Sequence, residues 1–93
     1  MPYYRFTVPT GNATLARRAE VAAAVTRVHG EVTGAPARYV HCTFTEVPPG
    51  SVFVAGEPVE GPRMVGLIRE GRSPEVRARL LHGIADAWCA VTG

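Results

Sequence analysis

The chain has 93 residues, 46% of them hydrophobic and 19% charged, and a formal net charge of +2. This is one small domain, residues 1–93, with a modest core that gains from association with other chains. Its ten basic residues, all arginine, are scattered and give no clustered face for nucleic acid. No apolar run approaches the ~20 residues of a membrane span, and no signal-peptide pattern opens the chain. Cys42 and Cys89 therefore read as reduced thiols rather than a disulfide or metal site, and the protein is expected in the cytoplasm.

The chain begins Met1-Pro2-Tyr3-Tyr4. A methionine before a small residue is normally removed after synthesis, so Pro2 is expected to start the mature protein with a free secondary amine. An α-amine titrates around pH ~7.7–8.0, and a desolvating pocket with nearby cations lowers that value. Pro2 is thus a candidate general base or acid. Many proteins start Met-Pro without using the proline, so the weight of this signal depends on what surrounds it.

Residues 3–8 alternate Tyr4, Phe6 and Val8 against Tyr3, Arg5 and Thr7, which predicts a strand with one buried face. A turn follows at 9–12. With Thr14 as N-cap, residues 15–32 predict a helix whose apolar side carries Leu15, Ala19, Ala22 and Val25, ended by Gly34 and Pro36. Residues 38–47 predict a second strand and 51–56 a short third one. Residues 57–62 form a Gly/Pro-rich loop that divides two similar halves, roughly 1–56 and 62–93. Residues 64–68 are an apolar run expected as a buried strand. Ser73-Pro74-Glu75 is a strong helix start, with Ser as cap, Pro in the first turn and an acid beside the positive helix end. Val76, Leu80, Ile84, Trp88 and Val91 give that helix its apolar stripe. The fold class is α/β: a β-α-β unit, a hairpin and then a second β-α whose final strand is missing. That absence leaves residues 64–68 and the stripe of the last helix facing solvent on one side, which predicts a chain that does not act as a monomer.

The segment Arg69-Glu70-Gly71-Arg72-Ser73 lies between a strand end and a helix start, where α/β folds place anion sites. Two arginines three residues apart can converge on one carboxylate by forked hydrogen bonds; equally, such a pair can be solvated surface charge. His29, near the end of the first helix, is either a capping or packing residue or a hydrogen-bond donor to a substrate carboxylate or carbonyl. His41 and His82 receive no role, and the three histidines show no metal-ligand spacing. No cofactor is implied.

Together these residues resemble the tautomerase superfamily, in particular its cis-3-chloroacrylic acid dehalogenase-like branch. The resemblance covers nearly the whole chain: Pro2, the stretch 26–34 with His29 and Val32-Thr33-Gly34, Pro49-Gly50-Ser51-Val52-Phe53, and Gly66-Leu67-Ile68-Arg69-Glu70-Gly71-Arg72-Ser73. It implies a β-α-β unit made twice and packed as a trimer, with Pro2 as the catalytic amine and Arg69, Arg72 and His29 binding the substrate carboxylate. In that branch a further strand and tail carry a tyrosine and a glutamate that activate a water. This chain stops before that region and has no tyrosine or glutamate beyond Glu75. The expected activity is therefore proton transfer on a small 2-oxo or unsaturated carboxylic acid. Hydration or dehalogenation of 3-substituted acrylates is the second reading, and an inactive structural subunit of the same fold the third. A homo-oligomer or pairing with another chain is expected, with neither nucleic acid nor membrane as partner.

Overall fold

The structure, a computed structural model, describes residues 2–93. In chain order its elements are β1 (Tyr3–Pro9), α1 (Ala13–Ala16), α2 (Arg18–Thr33), β2 (His41–Val47), β3 (Phe53–Val54), β4 (Glu57–Pro58), β5 (Arg63–Leu67) and α3 (Pro74–Thr92). The main sheet runs β2-β1-β5. β1 pairs in parallel with β2, Tyr3 opposite His41 through Pro9 opposite Val47, and antiparallel with β5, Tyr3 opposite Leu67 through Thr7 opposite Arg63. Parallel neighbours need a crossover, which α2 supplies. The fold is α/β, a β-α-β unit followed by β-α, and no strand follows α3 among the described residues.

The alternation of β1 decides where the core lies. Tyr4, Phe6 and Val8 are buried while Arg5 is exposed. Val21, Val25 and Val28 of α2 and Ile84 and Ala87 of α3 join them in one cluster, so both helices cover the same face of the sheet. Phe6 is the hub: its ring stacks on Phe44 at 4.5 Å and meets Trp88 edge-on at 4.9 Å. Each such aromatic pair adds about 0.5–1.5 kcal/mol beyond the area it buries.

Several elements depart from the expected ones. The first helix is capped by Asn12, whose side chain accepts from the Thr14 N–H at 2.9 Å. Thr14 is withdrawn into the core, where its hydroxyl accepts from the Trp88 indole N–H at 2.9 Å. The helix is interrupted at Arg17, after which α2 turns Val21, Val25 and Val28 inward and leaves Ala19 exposed. Residues 37–39 make a single turn of 3₁₀ helix before β2 begins. Part of the expected loop at 57–62 pairs with residues 53–54 as a two-residue hairpin, whose turn residues Ala55 and Gly56 have φ of 53° and 79°. Positive φ at both positions matches the twist of a tight hairpin. The apolar stripe of α3 is covered by the core at Leu80 and Ile84, but β5 is not buried: Val65 is 59% and Leu67 56% exposed. Its apolar run packs on one side only because both helices cover the Tyr4–Phe6 face of the sheet, whereas Val65 and Leu67, opposite Arg5 and Tyr3, lie on the other.

α3 begins as its sequence dictates, with Ser73 accepting from the Val76 N–H at 3.2 Å and Pro74 in the first turn. It packs closely on α2 at Gly83, where an added Cβ would lie 2.9 Å from Val28 Cγ1. Replacing a helical glycine by alanine ordinarily stabilises by about 1 kcal/mol, whereas overpacking a core costs about 1–3 kcal/mol. Val28 is β-branched and stiff in a helix, so its methyl cannot simply rotate away. Gly83→Ala is expected to lower the thermal midpoint despite its better helix propensity, and Val28→Ala in the same chain to recover part of the loss. Calorimetry of the wild type and the two variants checks this, and a raised midpoint in Gly83→Ala alone contradicts it.

Candidate active site

The start of β1, the end of α2, the end of β5 and the start of α3 meet at one end of the molecule, as the strand directions require. A cleft of about 580 Å³ opens there, lined by Pro2, His29, Arg69 and Arg72 together with residues 33–36 and Tyr39. The four residues singled out in the sequence, separated by up to 70 positions, are thus brought to one cavity.

Each is held by a local device. Pro2 is buried, and its carbonyl accepts from the His41 N–H at 3.1 Å, which pins it to the head of β2. His29 lies in the last turns of α2, only 2% exposed. Beyond it the helix closes on Gly34 in the left-handed conformation (φ 76°), whose N–H donates to the Gly30 carbonyl at 2.8 Å. Thr33 donates its hydroxyl to the His29 carbonyl at 2.7 Å and accepts from the Ala35 N–H, so the wall at 33–35 satisfies its own polar groups. Arg69 and Arg72 stand on the loop between β5 and α3, which Gly71 turns with a φ of 89°. Among the described residues the only ion pairs are Arg17–Glu20 at the start of α2 and Arg27–Glu31 near its end, so neither cleft arginine has a carboxylate partner. The Arg72 Nε is buried and has no hydrogen-bond partner among the described residues.

The cleft therefore carries positive charge with no compensating anion. Burial, and next the charge of Arg72, push the His29 imidazole below its ordinary value and favour its neutral form. His29 Nδ1 lies 2.7 Å from the Tyr4 hydroxyl. Burial, reinforced by Cys42 and opposed by Arg72, pushes that phenol up to about 12, so it stays protonated throughout the physiological range. Among the described residues no three His, Cys, Asp or Glu side chains converge as metal ligands do. No described helix is long and apolar enough to cross a membrane.

Two residues, one lining the cleft and one beneath it, have no counterpart among those expected. Tyr39 stands at the rim with the Arg38 guanidinium 4.8 Å above its ring, in a turn the sequence reads as strand. Tyr4 has an intelligible burial signal in the alternation of β1, but nothing in the sequence couples it to a histidine 25 positions away.

The family model for Tautomerase_3, "Putative oxalocrotonate tautomerase enzyme", matches residues 1–90. Native Ps01740 is 36% identical with a TM-score of 0.81, the match covering 98% of this chain and 81% of that one. The fused 4-OT Q0, a wild-type symmetric trimer, is 26% identical with a TM-score of 0.77, covering 98% and 74%. A protein named N1, a member of the cis-3-chloroacrylic acid dehalogenase family, is 27% identical with a TM-score of 0.81, covering 97% and 64%. No curated protein matches the chain in sequence. The chain belongs to the tautomerase superfamily.

The depressed His29 value makes stability depend on pH in a definite direction. Its folded pKa lies below its unfolded one, so on acidification the unfolded chain takes up a proton that the folded chain refuses. That contribution is absent above the unfolded value of about 6.5 and destabilises progressively below it, until the folded pKa is passed. The thermal midpoint of the wild type is expected to fall more steeply between about pH 7 and 5 than that of His29→Gln, with parallel profiles above pH ~7. Identical slopes in the two proteins would show that His29 does not titrate abnormally.

Proposed function

We propose that the protein is a cofactor-independent tautomerase-type enzyme acting on a small 2-oxo or unsaturated carboxylic acid. The observation that carries this reading is the convergence of Pro2 and His29 with two arginines lacking carboxylate partners on a single cleft. Arg69 and Arg72 would take the substrate carboxylate by charge-assisted, forked hydrogen bonds. The Pro2 nitrogen, freed by loss of Met1, would remove a proton from one position of the bound acid and return it at another. No bond other than those to the moving proton is made or broken, apart from the shift of the double bond. Arg69 and Arg72 favour the neutral amine, which is the form able to accept the proton. His29, neutral in its buried position, would add an N–H to the carboxylate or carbonyl.

Hydration or dehalogenation of a 3-substituted acrylate is the second reading, favoured by the similarity to N1. A panel of enols of 2-oxo acids and 3-haloacrylates separates the two by product. Pro2→Ala is expected to reduce kcat steeply in a folded protein, because it substitutes a primary amine of different basicity and geometry. Arg69→Ala or Arg72→Ala is expected to raise KM by roughly ten- to a hundredfold, corresponding to about 1.5–3 kcal/mol for a lost charge-assisted bond. Unchanged turnover in Pro2→Ala would refute the assignment. So would equal turnover of the acid and its neutral amide. If Met1 is retained in the intact mass, the amine is blocked and the inactive-subunit reading prevails.

Assembly belongs to the same proposal. Val65 and Leu67 on the β5 edge and Leu81 on the outside of α3 are exposed apolar side chains, and an unpaired edge invites another strand. Fused 4-OT structures similar to this chain include a symmetric and an asymmetric trimer, and a trimer is the assembly proposed here, in the soluble interior of the cell. Light scattering at low micromolar concentration is expected to give about three times the 9.9 kDa chain mass. A cooperative monomer would refute this part of the proposal.

A further inference from the structure

We infer that Tyr4 is a positioning residue for His29: its hydroxyl donates to Nδ1, fixes the imidazole as the tautomer protonated on Nε2, and so presents an N–H donor to an anion bound in the cleft. Use of that donor on substrate rests on the tautomerase reading above; the tautomer itself does not.

A neutral imidazole has one N–H and one lone pair, and the partner of one nitrogen decides which the other offers. The Tyr4 hydroxyl and Nδ1 are 2.7 Å apart in a buried setting, with the two rings edge-on at 70°. Two arrangements satisfy that distance. If Nδ1 carried the proton, the phenol oxygen would accept it and the phenol's own hydrogen would need another acceptor. Among the described residues the hydroxyl has no hydrogen-bond partner other than His29. A buried donor without an acceptor is costly, so the phenol donates and Nδ1 accepts. The proton then resides on Nε2, which has no hydrogen-bond partner among the described residues, on a ring that lines the cleft beside Arg69 and Arg72.

The phenol is placed for this by the sheet, not by the cleft. Tyr4 is the central-strand residue paired with Cys42 on one side and Gly66 on the other. Its ring lies across Gly66, where a Cβ would come within 2.9 Å of Cε1 and 3.0 Å of Cδ1. Gly66 thus leaves room for the ring in the one position from which its hydroxyl reaches the end of α2.

The test is heteronuclear NMR of the His29 ring nitrogens at neutral pH, which separates a protonated nitrogen from a bare one without any turnover. In the wild type, Nε2 is expected to be protonated and Nδ1 bare. Tyr4→Phe keeps the ring and removes the donor. It is expected to populate both tautomers and to weaken binding of pyruvate, used as the simplest 2-oxo acid probe, by roughly two- to tenfold. A wild-type ring protonated on Nδ1 overturns the proposal, and this decides the matter even if Tyr4→Phe fails to fold. An unchanged tautomer in Tyr4→Phe overturns it too. A redistributed tautomer with unchanged pyruvate affinity overturns the role of the N–H toward the anion, and with it Tyr4 as a positioning residue for binding. Full turnover in Pro2→Ala, by contrast, would remove the tautomerase reading and leave the ring-nitrogen result standing.

Discussion

Burial of Tyr4, Phe6 and Val8 along a strand paired on both edges is the constraint on which the rest of the molecule depends. β1 lies between β2 and β5 and beneath both long helices. A one-residue slip of its register would turn three large buried side chains outward and bring Arg5 into the core, so the pairing is strongly specified. That register also fixes the cleft. With β1 locked, Pro2 can lie only at the head of β2, and the Tyr4 ring only beneath the end of α2. The site is an end of the sheet rather than a feature added to it.

The cleft departs from ordinary surface design in its charge. Elsewhere on the chain, Arg17 and Arg27 meet glutamates one turn along the same helix, exposed pairs that contribute little to stability. At the cleft Glu70 lies between Arg69 and Arg72 in sequence, yet pairs with neither. Concentrated, uncompensated positive charge beside a buried imidazole does nothing for the fold. Together with burial, the Arg72 charge lowers the proton affinity of His29, and such perturbation is characteristic of functional sites. The same charge suits an anion that arrives from solution.

Much of this was legible in the residues. The period-two pattern of β1 and the Ser73-Pro74-Glu75 start of α3 are local signals, and both elements form where the pattern places them. Arg69, Arg72, His29 and Pro2 could be picked out by type and by position at element ends, although whether the arginines were a clamp or solvated charge was not decidable from spacing. What escaped is long-range. Thr14 has the chemistry of an N-cap, and only the arrival of Trp88, 74 positions later, diverts it to the core and leaves capping to Asn12. The apolar run of β5 looks the same whether a strand is covered on one face or on two. Tyr4 reads as core from its alternation alone, and its second function depends on a partner supplied by another element.

The chain contains one tryptophan, and its placement gives the molecule an internal optical probe of a particular kind. Trp88 is held edge-on to Phe6 and tethered through its indole N–H to Thr14, so its environment exists only while α3, α1 and β1 are assembled together. It lies fifteen residues along α3 from the helix cap, a rise of roughly 20 Å away from the cleft. Its emission should therefore follow the integrity of the core and stay silent to occupancy of the cleft.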